Sequence, residues 1–270
     1  MSYETIEIRD IEQTRWIILN RPKVYNALNL PLYREIRAAA LQAEADEAVR
    51  CVVLRGAGGN FSAGNDLTAA RSKAFASTYS GPRGFITVGN ETCWTIWRLK
   101  KPVIAAVEGV CFGGGFELAM ACDFVLADPA ARFGEPEVRL ADAPPFFITP
   151  WVVGMRHAKH LLLTGDIISA ATAQNYGILT ELCEAGQLEE RVRRLARKMA
   201  AFPPETWGFN KQGVNRVYEI MGFHAAVDLG VDIFATIKTT PNQLRDELTE
   251  RINREGFAAA IRWVQARYAD

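Results

Sequence analysis

The sequence predicts an α/β fold that turns wholly helical toward its C-terminus, on three observations. Short apolar runs of β type alternate with helical runs as far as about Gly154. From His157 onward helix follows helix, and no low-complexity linker or internal repeat divides the chain. Strands interleaved with helices require crossover connections, hence a largely parallel sheet covered on its faces. Residues 1–200 read as an α/β core and 201–270 as a helical region packed with it as one unit.

The elements follow in order. Residues 5–9 and 15–20 read as paired strands around the charged turn Asp10-Ile11-Glu12-Gln13. Residues 32–45 read as a helix, with Asn29 placed to cap it and Pro31 near its start. The run 51–54 is a buried-type strand, ended by Gly56-Ala57-Gly58-Gly59; the runs 103–107 and 124–127 repeat that character. Beyond them, helices are expected over 158–163, over 169–176 with Gly177 as the stop, and over 188–201. Pro203-Pro204 opens another helix, and Thr240-Pro241 reads as a cap followed by a first helical position. Only 178–183 interrupts with strand character.

Composition excludes several classes of function. Of 270 residues, 49% are hydrophobic, ample for a core, so a disordered chain is excluded. Lys+Arg and Asp+Glu both number 31 and no stretch collects one sign, which removes the electrostatic case for a nucleic-acid partner. The five cysteines are odd in number and never fall as C-x-x-C, so they read as reduced thiols of an intracellular protein. No basic start precedes an apolar run at the N-terminus, and no apolar stretch approaches the roughly 20 residues that span a bilayer. The expectation is a cytoplasmic protein without a membrane segment. His157 and His160 share a helix face, but no carboxylate or cysteine accompanies them, so they read as packing residues and no metal site is expected.

Three segments carry chemistry. In the first, the strand 103–107 leads through Glu108-Gly109-Val110-Cys111-Phe112 to Gly113-Gly114-Gly115, with an apolar helix directly after. Glycine lets a ligand approach the backbone, and the first N–H groups of a helix have no internal partners, so this is a ready site for a developing oxyanion. It spells neither G-x-G-x-x-G nor G-K-[ST], so a nucleotide phosphate is not indicated. The second is Gly59-Asn60-Phe61-Ser62-Ala63-Gly64-Asn65-Asp66-Leu67, after the strand 51–54. A serine nucleophile elbow there would need glycine where Asn60 stands. In the third, Arg132-Phe133-Gly134-Glu135-Pro136-Glu137-Val138-Arg139, Pro136 stiffens the loop that carries Glu137. Two glycine loops beside two carboxylates, Glu117 and Glu137, meet the needs of proton chemistry next to a carbonyl.

Taken in this order, with Asn20-Arg21-Pro22-Lys23, Asn26-Ala27-Leu28, Lys101-Pro102-Val103 and Leu162-Leu163-Thr164-Gly165, the segments resemble the crotonase (enoyl-CoA hydratase/isomerase) superfamily along essentially the whole chain. The resemblance implies a crotonase-like spiral of ββα units with a helical C-terminal trimerisation region, the trimers often paired as hexamers. It implies a lyase of enoyl-CoA hydratase type in fatty acid metabolism, acting on an acyl-CoA thioester, with coenzyme A as part of the substrate and no prosthetic group. The oxyanion donors would be the backbone N–H groups of Asn65 and Gly114, and the acid–base pair Glu117 and Glu137. Lys23, Val24, Tyr25, Ala63, Asp66 and Leu67 would line the coenzyme A channel.

The chain departs from the family's pattern in three places. Asp142-Ala143-Pro144-Pro145-Phe146 replaces a glycine-rich P-G-A-G-G segment, and Pro145 has no N–H to offer. Pro145 and Phe146 would then shape the acyl pocket. Thr68 stands where lysine is frequent, and the tail 256–263 lacks the family's usual ending. Pro145 keeps open an alternative, a double-bond isomerase or a C–C bond lyase or hydrolase working through the same enolate. A crotonase-fold binding protein without turnover is a further alternative.

Overall fold

Nine strands and ten helices are defined in the computed structural model, which describes residues 3–67 and 80–268. The strands β1 (Ile6–Ile11), β2 (Thr14–Leu19), β3 (Cys51–Gly56), β4 (Val103–Val107), β6 (Phe124–Ala127) and β9 (Glu181–Leu182) form one sheet in that spatial order. Its β1–β2 pair is an antiparallel hairpin and every other pairing is parallel. A small second sheet holds β5 (Val110–Phe112), β7 (Arg132–Gly134) and β8 (Ile168–Ser169).

Alternation along the central strands assigns side chains to two cores. Ile17, Leu19, Val52, Leu54, Val103, Ala105 and Val107 face the larger core with helix α1 (Leu30–Ala45). Trp16, Ile18, Val53, Ile104 and Ala106 face the other way, under α6 (Leu188–Ala200), which lays Leu188, Val192, Ala196 and Met199 on them. Asn29 caps α1 as expected, accepting from the Leu32 N–H at 3.0 Å.

The remaining helices are α2 (Ser80–Arg98), α3 (Gly114–Met120), α4 (Thr149–Thr164), α5 (Ala170–Asn175), α7 (Pro204–Ile220), α8 (Phe223–Thr239), α9 (Gln243–Glu255) and α10 (Phe257–Ala266). Several boundaries differ from expectation. Helix α3 begins inside the glycine run, with Gly113 as its N-cap, rather than after it. Helix α4 starts at Thr149, with Pro150 in its first turn and a break in helical geometry at Gly154. Thr240 does not cap α9: its Oγ1 donates back to Thr236 O at 2.8 Å, and Asn242 caps instead, accepting from the Arg245 N–H at 3.1 Å. The strand expected over 178–183 shrinks to two residues. Helix α2 contains Pro82 and three glycines, so propensity conceals it and tertiary packing supplies its stability.

Helix α8 reaches back onto the core. Val231 and Phe234 pack against Ile86 of α2, and a Cβ added at Gly230 would lie 2.6 Å from Pro145 O. The C-terminal helices thus form one wall of the site. Among the described residues, no single helix is long and apolar enough to cross a membrane.

Candidate active site

Two glycine turns meet because the loop 59–67 is stitched to both sides of its cleft. On one side the Leu28 N–H donates to Gly64 O and the Asp66 N–H to Leu28 O, at 2.8 and 2.9 Å. On the other, the Ser62 N–H donates to Val110 O and the Phe112 N–H to Ser62 O, both at 3.0 Å. This ladder uses the groups flanking Asn65 and leaves the Asn65 N–H unused. The Gly114 N–H, first in its helix, is likewise unused, so among the described residues neither amide has an acceptor. The turns touch closely: a Cβ added at Gly64 would lie 2.7 Å from Phe112 O and 3.3 Å from Gly114 N. The Asn65 side chain is pinned separately, accepting from the Tyr33 hydroxyl at 2.7 Å.

The carboxyls come from the other two segments. Glu117, on α3, is 2% exposed and its Oε1 accepts from the Phe146 N–H at 2.6 Å. Glu137 rides on a 3-10 turn (Pro136–Leu140), and its Oε1 lies so close to Gly113 that an added Cβ would overlap it. That turn is tied to the glycine run by the β5–β7 pairing, through the Gly113 N–H and Gly134 O at 2.9 Å. Burial pushes Glu117 well above the ordinary carboxylate range, and the charge of Glu137 adds to the effect. Burial raises Glu137 to about 7; its own backbone N–H, the hydrogen bond with Glu135 and Lys238 hold it from going higher, while Asp142 pushes the other way. A carboxyl poised near neutral pH can give or take a proton at little cost, as general acid–base catalysis requires.

Asn65, Gly113, Glu137 and Pro145 border one cavity of about 80 Å³, walled also by Phe85, Ile86 and Phe234. Lys238 and Asp142, paired with each other, sit in the same wall. Among the described residues, no cluster of His, Cys, Asp and Glu is arranged to hold a metal ion.

The enoyl-CoA hydratase/isomerase family model matches residues 12–247. The chain belongs to the enoyl-CoA hydratase/isomerase family. Among similar proteins is a short-chain-enoyl-CoA hydratase of Clostridium acetobutylicum, 34% identical over 252 residues, covering 89% of this chain and 93% of the relative. A crotonyl-CoA hydratase of Syntrophomonas wolfei is 38% identical over 205 residues, 74% of this chain and 76% of that one. The crystal structure of an enoyl-CoA hydratase/isomerase from Xanthobacter autotrophicus Py2 superposes over 100% of both chains with a TM-score of 0.95 at 34% identity.

Within this enoyl-CoA hydratase/isomerase framework, the residues singled out from sequence fall into groups. Asn65 and Glu137 border the cavity; Gly114 lies against the Asn65 side chain and Glu117 is held by the Phe146 N–H, and neither of these two lines it. Ala63, Asp66 and Leu67 border the same cavity. Asp66 is not a free carboxylate, however, because Arg21 pairs with it at 3.0 Å. Lys23, Val24 and Tyr25 stand exposed beside the loop, with Tyr25 O accepting from the Ala63 N–H at 2.9 Å. Pro145 borders the cavity, but Phe146 does not: its ring is fully buried against Trp94, with centroids 5.3 Å apart. The backbone here brings the Phe146 N–H to Glu117 while the Phe146 ring enters the core. Thr68 lies outside the described residues. His157 stacks on Tyr176, and His160 joins Tyr176 to Asp166. Ser62 is fully buried, donating to Asn26 O and accepting from the Gly64 N–H, which gives it a structural post rather than a nucleophile's.

Two supporting residues are given no role in the site by the sequence, although Asn26 falls in a segment that carries the resemblance. Tyr33 lies one helical position past Leu32, so on α1 it reads as ordinary core. Asn26 is fully buried; its Oδ1 accepts from the Arg21 N–H, and its Nδ2 donates to Ala57 O and Asn60 O at 2.9 and 2.7 Å. Asn26→Ala would strand three backbone groups, so a loss of about 3–5 kcal/mol in urea unfolding is expected. A loss below about 1 kcal/mol would mean that the loop holds itself without Asn26.

Proposed function

We propose that this chain hydrates the 2,3 double bond of an enoyl-CoA thioester. The observation that carries this reading is the pair of buried carboxyls, Glu117 and Glu137, set beside two backbone amides that have no acceptor among the described residues. In the proposed reaction the Asn65 and Gly114 amides take the thioester oxygen as it gains enolate charge. Glu117 assists attack of water at C3, and Glu137 delivers the proton to C2. Exposed Lys23, Val24 and Tyr25 border the approach for the coenzyme A portion. Pro145 keeps open an isomerase or a C–C bond lyase or hydrolase; what supports hydration beside it is the Phe146 N–H, which gives Glu117 the main-chain donor that Pro145 lacks.

The test is to mix the protein with short, long and aryl enoyl-CoA thioesters and follow loss of the conjugated chromophore, with product identified by mass. A product heavier by one water is expected. A product of unchanged mass with a shifted double bond would replace hydration by isomerisation.

The same proposal includes self-association as a homotrimer or hexamer. Phe209, Val217 and Ile220 on α7 and Met221 just beyond it are exposed, Ile220 by 74%, and an apolar face of this kind supports burial against further copies. Ile220→Arg should shift the mass measured by light scattering down to that of one chain; an unchanged oligomer would place the interface elsewhere. All five cysteines are free and buried, which supports a cytoplasmic setting.

A further inference from the structure

A third carboxyl stands behind the pair. Glu135 is 1% exposed and lies two residues before Glu137 in the chain. Its Oε1 accepts from the Thr149 hydroxyl at 2.8 Å. Its Oε2 is buried and meets no hydrogen-bond donor, and the same holds for Glu137 Oε2. Two buried oxygens without a donor, on side chains two residues apart that bear on each other's protonation, can satisfy one another. An ionised carboxylate only accepts, so two carboxyl oxygens can bond only if one of them carries a proton. Two bare carboxylates there would repel in a medium that screens them poorly.

The geometry also says which residue carries the proton. Glu135 has no exposed edge, whereas Glu137 borders the cavity and shares it with the Lys238 ammonium. We propose that Glu135 is a positioning residue: it holds a proton on Oε2, donates it in a hydrogen bond to Glu137 Oε2, and so leaves Glu137 Oε1 as the single oxygen facing Gly113 and the substrate. This rests on the acid–base role proposed for Glu137. Burial, and then the charges of Glu137 and Glu117, push Glu135 well above the ordinary carboxylate range, which agrees with a proton retained at neutral pH. The other ionisable groups facing the pair are Asp142 and Lys238, with Tyr33 and Cys111 behind. No proton is lost or gained by Glu135 in the cycle; the proton that reaches C2 leaves from Glu137 and is replaced from the added water.

The experiment separates a donor from a mere space-filler. Glu135→Gln keeps an N–H donor toward Glu137 and should keep kcat near wild type. Glu135→Met fills similar space without a donor, and kcat should fall at least about tenfold with little change in KM, because Glu137 is no longer aimed. Losing a hydrogen bond to its ionised form must also raise the Glu137 pKa, so the alkaline limb of the pH–rate profile, set by loss of the proton Glu137 delivers, should move up in Glu135→Met and stay in Glu135→Gln. Independently of turnover, infrared spectra of substrate-free protein at pH 7 should show a protonated-carboxyl C=O band in wild type that Glu135→Gln removes. A Glu135→Met enzyme with wild-type kcat and pH profile overturns the proposal, and so does an infrared band unaffected by Glu135→Gln. If wild type fails to hydrate any enoyl-CoA while the band is still lost, the proposed reaction is wrong and the proton assignment survives.

Discussion

Glu137→Gln should cut hydration by about 10²–10⁴ in kcat, the usual worth of one general acid–base group, and should make the protein more stable at pH 8. Both outcomes have one cause. The folded protein holds the Glu137 proton to about 7, against an ordinary value of 4.5. Between those values the native state therefore binds more protons than the unfolded chain, so stability falls as pH rises. The contribution is whole below about 4.5 and is lost by the time pH passes about 7. Gln carries no charge to desolvate, so the variant should lose less stability over that window and melt higher above it. Glu117 is displaced in the same direction, by burial first, so Glu117→Gln should behave likewise; the Phe146 N–H would then donate to the amide oxygen. Melting curves at intervals of pH, beside the hydration assay, read both effects. A Gln variant with normal turnover would remove that carboxyl from the chemistry, and one that melts lower than wild type at pH 8 would contradict its burial cost.

The second large effect is expected at Gly64. Its φ of +89° is hard for any other residue, and a Cβ there would press on Phe112 O at 2.7 Å and Gly114 N at 3.3 Å. Both neighbours are backbone and neither can swing aside. Gly64→Ala must push the two glycine turns apart, which spoils the convergence of the Asn65 and Gly114 amides. Loss of one oxyanion donor costs about 10²–10³ in kcat, and both are disturbed here. Gly59 provides the control: its φ is +72°, but an added Cβ meets nothing within 4 Å. Gly59→Ala pays only the backbone strain, about 1–3 kcal/mol of stability, and should keep its activity. If Gly64→Ala turns over as well as Gly59→Ala, the close approach of the two turns is irrelevant to the reaction.

Much of the fold was legible in sequence for plain reasons. The runs 103–107 and 124–127 are uniformly apolar, and the structure forms strands over Val103–Val107 and Phe124–Ala127. Asn29 followed by Pro31 names a helix start because side-chain capping and a fixed φ are local effects. Local rules failed where a distant partner decides. Thr240 is the exception, settled locally: its hydroxyl bonds Thr236 O four residues back, and Asn242 takes the cap. The glycine-laden α2 persists because α8 covers it.

The site divides in the same way. Backbone amides exposed by Gly64 and Gly113-Gly114-Gly115, and two glutamates on separate stiff segments, are properties of composition and spacing, so the sequence alone determined which groups are present for the chemistry. Tertiary structure decided what those groups are. It set the Phe146 amide, not a glycine, against Glu117, turned the Phe146 ring away from the cavity, and left Asp66 bound to Arg21. It also placed Glu135 behind Glu137, two buried carboxyls that a sequence shows only as neighbours two apart. The physical reason is that a carboxyl's working charge depends on what excludes water and what donates to it, and those partners arrive from strands, loops and helices far away along the chain.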